Sequence, residues 1–127
     1  MNQPADYHTN LGREIAKLRD KGVLIVGSGN LVHNLEQVCW EKNAQPYDWA
    51  IVFDNWIKQK LQNGDFNSLT KDFDKTRAGQ LSVPTLDHYL PLNYILGAAN
   101  KSDILNFEHE ELQNGSISMR SFSLVRF

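Results

Sequence analysis

The 127-residue chain combines 41% hydrophobic and 22% charged residues with a formal net charge of −2. That composition supports one folded domain and excludes a disordered chain. Lys and Arg are scattered rather than clustered, which removes the electrostatic case for nucleic acid or an anionic membrane as partner, and no apolar run approaches the roughly 20 residues of a spanning helix.

The chain opens on Met1-Asn-Gln-Pro-Ala-Asp6, without the basic and apolar regions of a signal peptide. Cys39 is the single cysteine, so no internal disulfide can form. A cytoplasmic protein with Cys39 as a half-buried bystander thiol is the expectation. Residues 4–21 predict a helix: Pro4 suits the first turn, Leu11, Ile15 and Leu18 mark an apolar face, and Gly22 supplies the stop. Residues 23–26, Val-Leu-Ile-Val, form a continuous aliphatic run that predicts a strand covered on both faces in a parallel or mixed sheet. Gly27-Ser-Gly-Asn30 then releases the chain into a loop, and residues 31–35 suggest the start of a short helix.

Residues 46–62 predict a second amphipathic helix with Trp49, Val52, Phe53, Trp56 and Ile57 on one side, ended by Asn63-Gly64. The polar stretch 65–82 predicts short helical turns anchored by Phe66, Leu69 and Phe73. Pro91 opens a third, largely buried helix over 91–99. Residues 104–107 and 117–125 predict strands joined through a Glu-rich segment and an Asn114-Gly115 turn. The fold class is α/β, a partial mixed sheet flanked by helices, in one domain over 1–127. So few strands make a poor independent sheet, and the helices need more cover than the chain provides. The apolar run and the Trp49/Phe53/Trp56 face therefore predict self-association into a homo-oligomer.

Two histidines stand out. His33 follows the end of a strand and a flexible loop, where ligands gather in open α/β sheets; the alternative is a helix-start imidazole bonded to backbone. His88 lies three residues before Pro91, at a defined backbone break, with Asp87 as a possible orienting partner; the alternative is a surface turn. His8 suits packing or capping, and His109 within Glu108-His-Glu-Glu111 suits a solvated charged turn. Gly27-x-Gly29 lacks the third glycine of a dinucleotide loop and the Gly-Lys-Ser/Thr of a Walker loop. Two histidines alone do not complete a zinc or iron site, which takes three protein ligands.

Residues 22–34 (Gly-Val-Leu-Ile-Val-Gly-Ser-Gly-Asn-Leu-Val-His-Asn), Pro46-Tyr-Asp-Trp49, the stretch Pro84-Thr-Leu-Asp-His-Tyr-Leu-Pro-Leu-Asn-Tyr-Ile-Leu-Gly-Ala98, and Gly115-Ser-Ile-Ser-Met119 resemble the class III extradiol ring-opening dioxygenases. The resemblance is to the DOPA-4,5-dioxygenase-like branch, related to the catalytic subunit of protocatechuate 4,5-dioxygenase, and runs over residues 4–124. Members are about twice as long, so the chain resembles their C-terminal half. The family's N-terminal half carries a Gly-His-Gly-type loop and a Ser-Ala-His-Trp-type segment, each donating a metal-ligand histidine, and neither occurs here. The resemblance implies His88 as the remaining metal ligand and His33 as the catalytic acid/base. It implies Fe(II) or Zn(II) as cofactor, with a catechol-type substrate and O2, in the complete enzyme, and no activity in this stretch alone. Met1 is then an internal methionine, an alternative start or a truncation point. A non-catalytic remnant of the same fold and a metal-dependent hydrolase are the other classes; no general-base Glu accompanies either motif.

Overall fold

A computed structural model describes residues 3–126; Met1 and Asn2, on which the three readings of the chain start rest, and Phe127 lie outside them. The first helix forms in two parts: α1 (Ala5–Ile15) continues into a 3₁₀ stretch (Ala16–Lys21), and Gly22 closes it at φ 80°. Its packing face differs from the expected one. Leu11 and Leu18 are exposed, and the buried positions are Ala5, Thr9 and Gly12. These small residues bring the backbone against α5 (Leu90–Ala98) more closely than leucines allow. A Cβ on Gly97 would lie 2.0 Å from the Thr9 carbonyl oxygen, and one on Gly12 would lie 2.4 Å from that of Tyr94.

The strand expected at residues 23–26 is corrected. The segment runs without regular secondary structure across α5 and pairs with no strand among the described residues. Leu24 and Val26 are 85% and 76% exposed, so the run lacks the double cover its composition calls for. Beyond it, residues 31–34 do not start a helix either; a short 3₁₀ turn begins only at Leu35 (Leu35–Gln37).

α2 (Asp48–Gln62) buries Ala50, Phe53, Ile57 and Leu61, while Val52 faces solvent. The polar stretch after Gly64 makes two short helices, α3 (Phe66–Lys71) and α4 (Arg77–Ser82). Asp65 and Thr76 cap them by accepting the backbone N–H groups of Ser68 and Gly79. The core gathers where α2, α3 and α5 meet, around Phe53, Ile57, Leu69, Tyr89, Leu92 and Leu96.

The C-terminal part is β, but the strand expected over 117–125 breaks at residues 119–120 into two strands with different partners. β1 (Ile104–His109) pairs antiparallel with β4 (Ser121–Val125), and β2 (Leu112–Gln113) pairs with β3 (Ile117–Ser118). Asn114 and Gly115, at φ 54° and 75°, make the tight turn between β2 and β3. The architecture is thus helices with small antiparallel sheets.

Two ion pairs lock this layout. Arg19 donates to both Asp103 oxygens at 2.7 and 2.9 Å, to the Ala98 carbonyl and to that of Leu124, joining the 3₁₀ stretch to α5, β1 and β4. Arg120 donates to both oxygens of Asp54 at 3.2 and 2.7 Å, and Ser118 donates to the same carboxylate, tying the β3–β4 segment to α2. No helix among the described residues is long and apolar enough to cross a membrane.

Candidate functional site

The two histidine-bearing segments interlock. The Asn30 backbone N–H donates to the His88 carbonyl at 2.9 Å, and the Asn30 side chain donates to the Ser118 carbonyl at 2.8 Å. Gly29 lies directly on that same His88 carbonyl: a Cβ at position 29 would approach its oxygen to 2.4 Å. The loop's small residues are therefore required by close approach to a second segment rather than by a phosphate.

His33 is held from two sides. Its backbone N–H donates to the Ser82 carbonyl at the end of α4, and it makes an antiparallel bridge to Ile117. Its neighbours repeat the pattern: the Val32 carbonyl accepts from Ser118, Asn34 N–H donates to Ser116, and the Asn34 amide donates to Leu81. His88 is fixed through the next residue. Tyr89 is fully buried against Phe53 and Phe73, and its hydroxyl donates to the Leu69 carbonyl at 2.5 Å. Burial pushes the Tyr89 phenol pKa far up, so it stays a neutral anchor.

With both backbones pinned, the imidazoles of His33 and His88 stack, centroids 3.6 Å apart and planes 18° from parallel. Burial, and then the nearby His88, lower the His33 pKa from its ordinary value, which favours the neutral ring. Asp87 lies 3.5 Å from His88 Nε2, beyond a good hydrogen bond, and is held instead by the Thr85 hydroxyl. The Thr85 bond comes first, and the nearby histidines add to it, in lowering the Asp87 pKa, so a carboxylate stands beside the pair.

The stack limits what these residues can hold. An imidazole binds a metal through a lone pair in its ring plane, and nearly parallel planes at this separation do not converge on one ion. One of the two rings can serve as a ligand while the other stands beside it. No group of three or more His, Cys, Asp or Glu suited to a metal occurs among the described residues. The donor set fits one corner of a metal centre, not a whole one.

The remaining histidines take their structural readings. His8 Nδ1 meets the Tyr94 hydroxyl at 2.9 Å and joins α1 to α5, and His109 pairs with Glu111 at an exposed turn. Cys39 is half-buried and free. Sequence reasoning passed over Asn30, whose two bonds carry the interlock; its only signal is an amide side chain at the end of a glycine loop.

Residues 2–123 match the family of the catalytic LigB subunit of aromatic ring-opening dioxygenase, nearly the whole chain. The chain belongs to the LigB family. Among LigB-like relatives, it is 38% identical over 125 residues to the 4,5-DOPA dioxygenase extradiol of Escherichia coli K12, covering 97% of this chain and 46% of that protein. It is 33% identical over 121 residues to the enzyme of the same name from Beta vulgaris, covering 94% of this chain and 44% of that one. The crystal structure of an uncharacterized E. coli K12 protein superposes with a TM-score of 0.86 at 38% identity, over 94% of this chain and 50% of that one. This LigB-family chain spans about half the length of the relatives it matches.

Proposed function

We propose that the chain supplies part of the active site of an extradiol ring-opening dioxygenase, acting on a catechol-type substrate with O2. The observation that carries this reading is the His33–His88 stack, built where two LigB-family segments lock together. His88 is the metal ligand and His33 the acid/base; the further ligands come from the half of the domain that this chain does not span. Fe(II) held there by His88 would supply a redox-active centre at which the two reactants meet, whereas Zn(II) on the same ligands would be redox-inert and would not activate O2.

His33 accepts a proton from a catechol hydroxyl and returns it as the ring opens beside the hydroxyl-bearing carbons. Its lowered pKa supports that role, since a neutral imidazole is the form that takes up a proton. The stacked geometry supports giving the two rings different tasks. The free thiol of Cys39 fits the cytoplasm as the site of action.

Oxygen uptake tests the proposal. The 127-residue chain, loaded anaerobically with Fe(II) and exposed to air with DOPA, should consume no O2 beyond the buffer control. The chain assembled with the complementary half should take up O2 and form a yellow semialdehyde product. Turnover by the chain alone, or its absence from a folded, metal-loaded assembly, would contradict the reading.

A further inference from the structure

The anchors of the two histidines both lead back to one helix. In α2, Phe53 packs against Tyr89, the residue after His88, with ring centroids 6.5 Å apart. Asp54, the next residue, is buried and reaches the segment that carries His33 through Ser118. Ser118 is 1% exposed, and all its polar groups are in use. Its N–H donates to the Val32 carbonyl at 2.9 Å, directly before His33, and its carbonyl accepts from the Asn30 amide at 2.8 Å. Its hydroxyl accepts from the Arg120 backbone N–H at 3.2 Å and donates to Asp54 Oδ1 at 2.6 Å. Asn30 in turn donates its backbone N–H to the His88 carbonyl. Ser118 therefore stands between the two histidine segments, and Asp54 fixes Ser118.

We propose that Asp54 is a positioning residue that sets how His33 and His88 meet. Its hydrogen bonds go to Ser118 and Arg120, and it acts on the imidazoles through Ser118.

Three observations carry the assignment. The Asp54 carboxylate accepts three hydrogen bonds, from the Ser118 hydroxyl and from Arg120 Nε and Nη2 at 3.2 and 2.7 Å, which fix its orientation. Arg120 has 4% of its side chain exposed and lies over the Phe107 ring, 5.1 Å from the centroid, so it has little room to retreat. Asp54, Ser118 and Val32 are all buried within this chain itself, so their arrangement does not wait on the rest of the domain. An amide at position 54 keeps an acceptor for Ser118 but turns a donor toward Arg120. The buried guanidinium must then move. Its own backbone N–H, bonded to the Ser118 hydroxyl, carries the displacement to Val32 and Asn30. The geometric part of the inference rests on the stacked pair alone; its effect on turnover rests on the dioxygenase reading.

Magnetic resonance of the imidazole protons tests it on the 127-residue chain, whose four histidines provide internal controls. Asp54→Asn and Ser118→Ala should each shift the His33 and His88 signals and leave those of His8 and His109 in place. Asp103→Asn breaks the other buried ion pair and should lower the melting temperature without moving the His33 and His88 signals. Where Asp54→Asn does not fold, Ser118→Ala, which removes one oxygen and no charge, decides. In the assembled domain both variants should lower kcat about tenfold or more with KM within about twofold, as a small misplacement of a reacting group does. His33 and His88 signals unchanged in the folded variants would overturn the proposal. So would equal shifts at all four histidines, or the same shifts from Asp103→Asn, since either would make Asp54 a general stabiliser only. An unchanged kcat in both variants would overturn it as well, by leaving the pair's geometry without effect on the reaction. A parent assembly that takes up no O2 with DOPA would count against the dioxygenase reading, and the imidazole signals would still decide this one.

Discussion

At Gly29 a single methyl group decides whether the two histidines meet. The Cβ of an alanine would lie 2.4 Å from the His88 carbonyl oxygen, so that backbone must move. Gly29→Ala should cost about 1–3 kcal/mol in urea unfolding. It should also shift the imidazole proton resonances of both His33 and His88 as the stack opens. An unchanged imidazole spectrum in a folded Gly29→Ala protein would show that the pair does not depend on the interlock. The two histidines were legible in the sequence because each sits in a long, specific motif. Their stacking was not, because Gly29 and Asn30 signal a close approach without telling which carbonyl, far along the chain, they reach.

At the scale of elements, the helices were legible where apolar residues recur and illegible where small ones do. Residues 48–62 carry large apolar side chains at helical spacing and bury Phe53, Ile57 and Leu61, though not Val52. In the first helix the spacing of Leu11, Ile15 and Leu18 points to a face that is only partly covered, while the close contact with α5 runs through Thr9 and Gly12 and has no hydrophobic signal. Gly97→Ala, whose Cβ would lie 2.0 Å from the Thr9 oxygen, should force α1 and α5 apart. A loss of about 1–3 kcal/mol by chemical denaturation is expected; no loss would mean that the helices have room to shift. Arg19 and Asp103 were equally hidden, paired across 84 positions of sequence. Burial would raise the Asp103 pKa, but the Arg19 bonds and the Asn100 N–H outweigh it, and the carboxyl titrates below the usual carboxylate range. The pair's contribution is therefore fully present above the unfolded value of about 3.9 and is lost as pH falls through the lowered folded value. Asp103→Asn should cost about 3 kcal/mol at pH 6, and the gap to the parent should narrow below pH ~3. A gap independent of pH would assign the cost to packing rather than charge.

At the scale of the whole molecule, the chain spans about half the length of its relatives, and its candidate site is a partial one. Residues 23–26 have a β-forming composition, yet they pair with no strand among the described residues and Leu24 and Val26 stay exposed, so the strand expectation fails. Among the described residues the donor set stops short of three ligands. In the proposed function the site of one domain is divided, with this chain giving His88 as a ligand and His33 as a proton carrier. Metal content of the assembled domain, measured alongside turnover for His33→Ala and His88→Ala, tests that division most directly. His33→Ala should keep stoichiometric metal and lose about 10²–10⁴-fold in rate, whereas His88→Ala should lose the metal itself. Equal metal loss in both variants would make His33 a ligand as well, and full metal occupancy in His88→Ala would remove this chain from the metal centre.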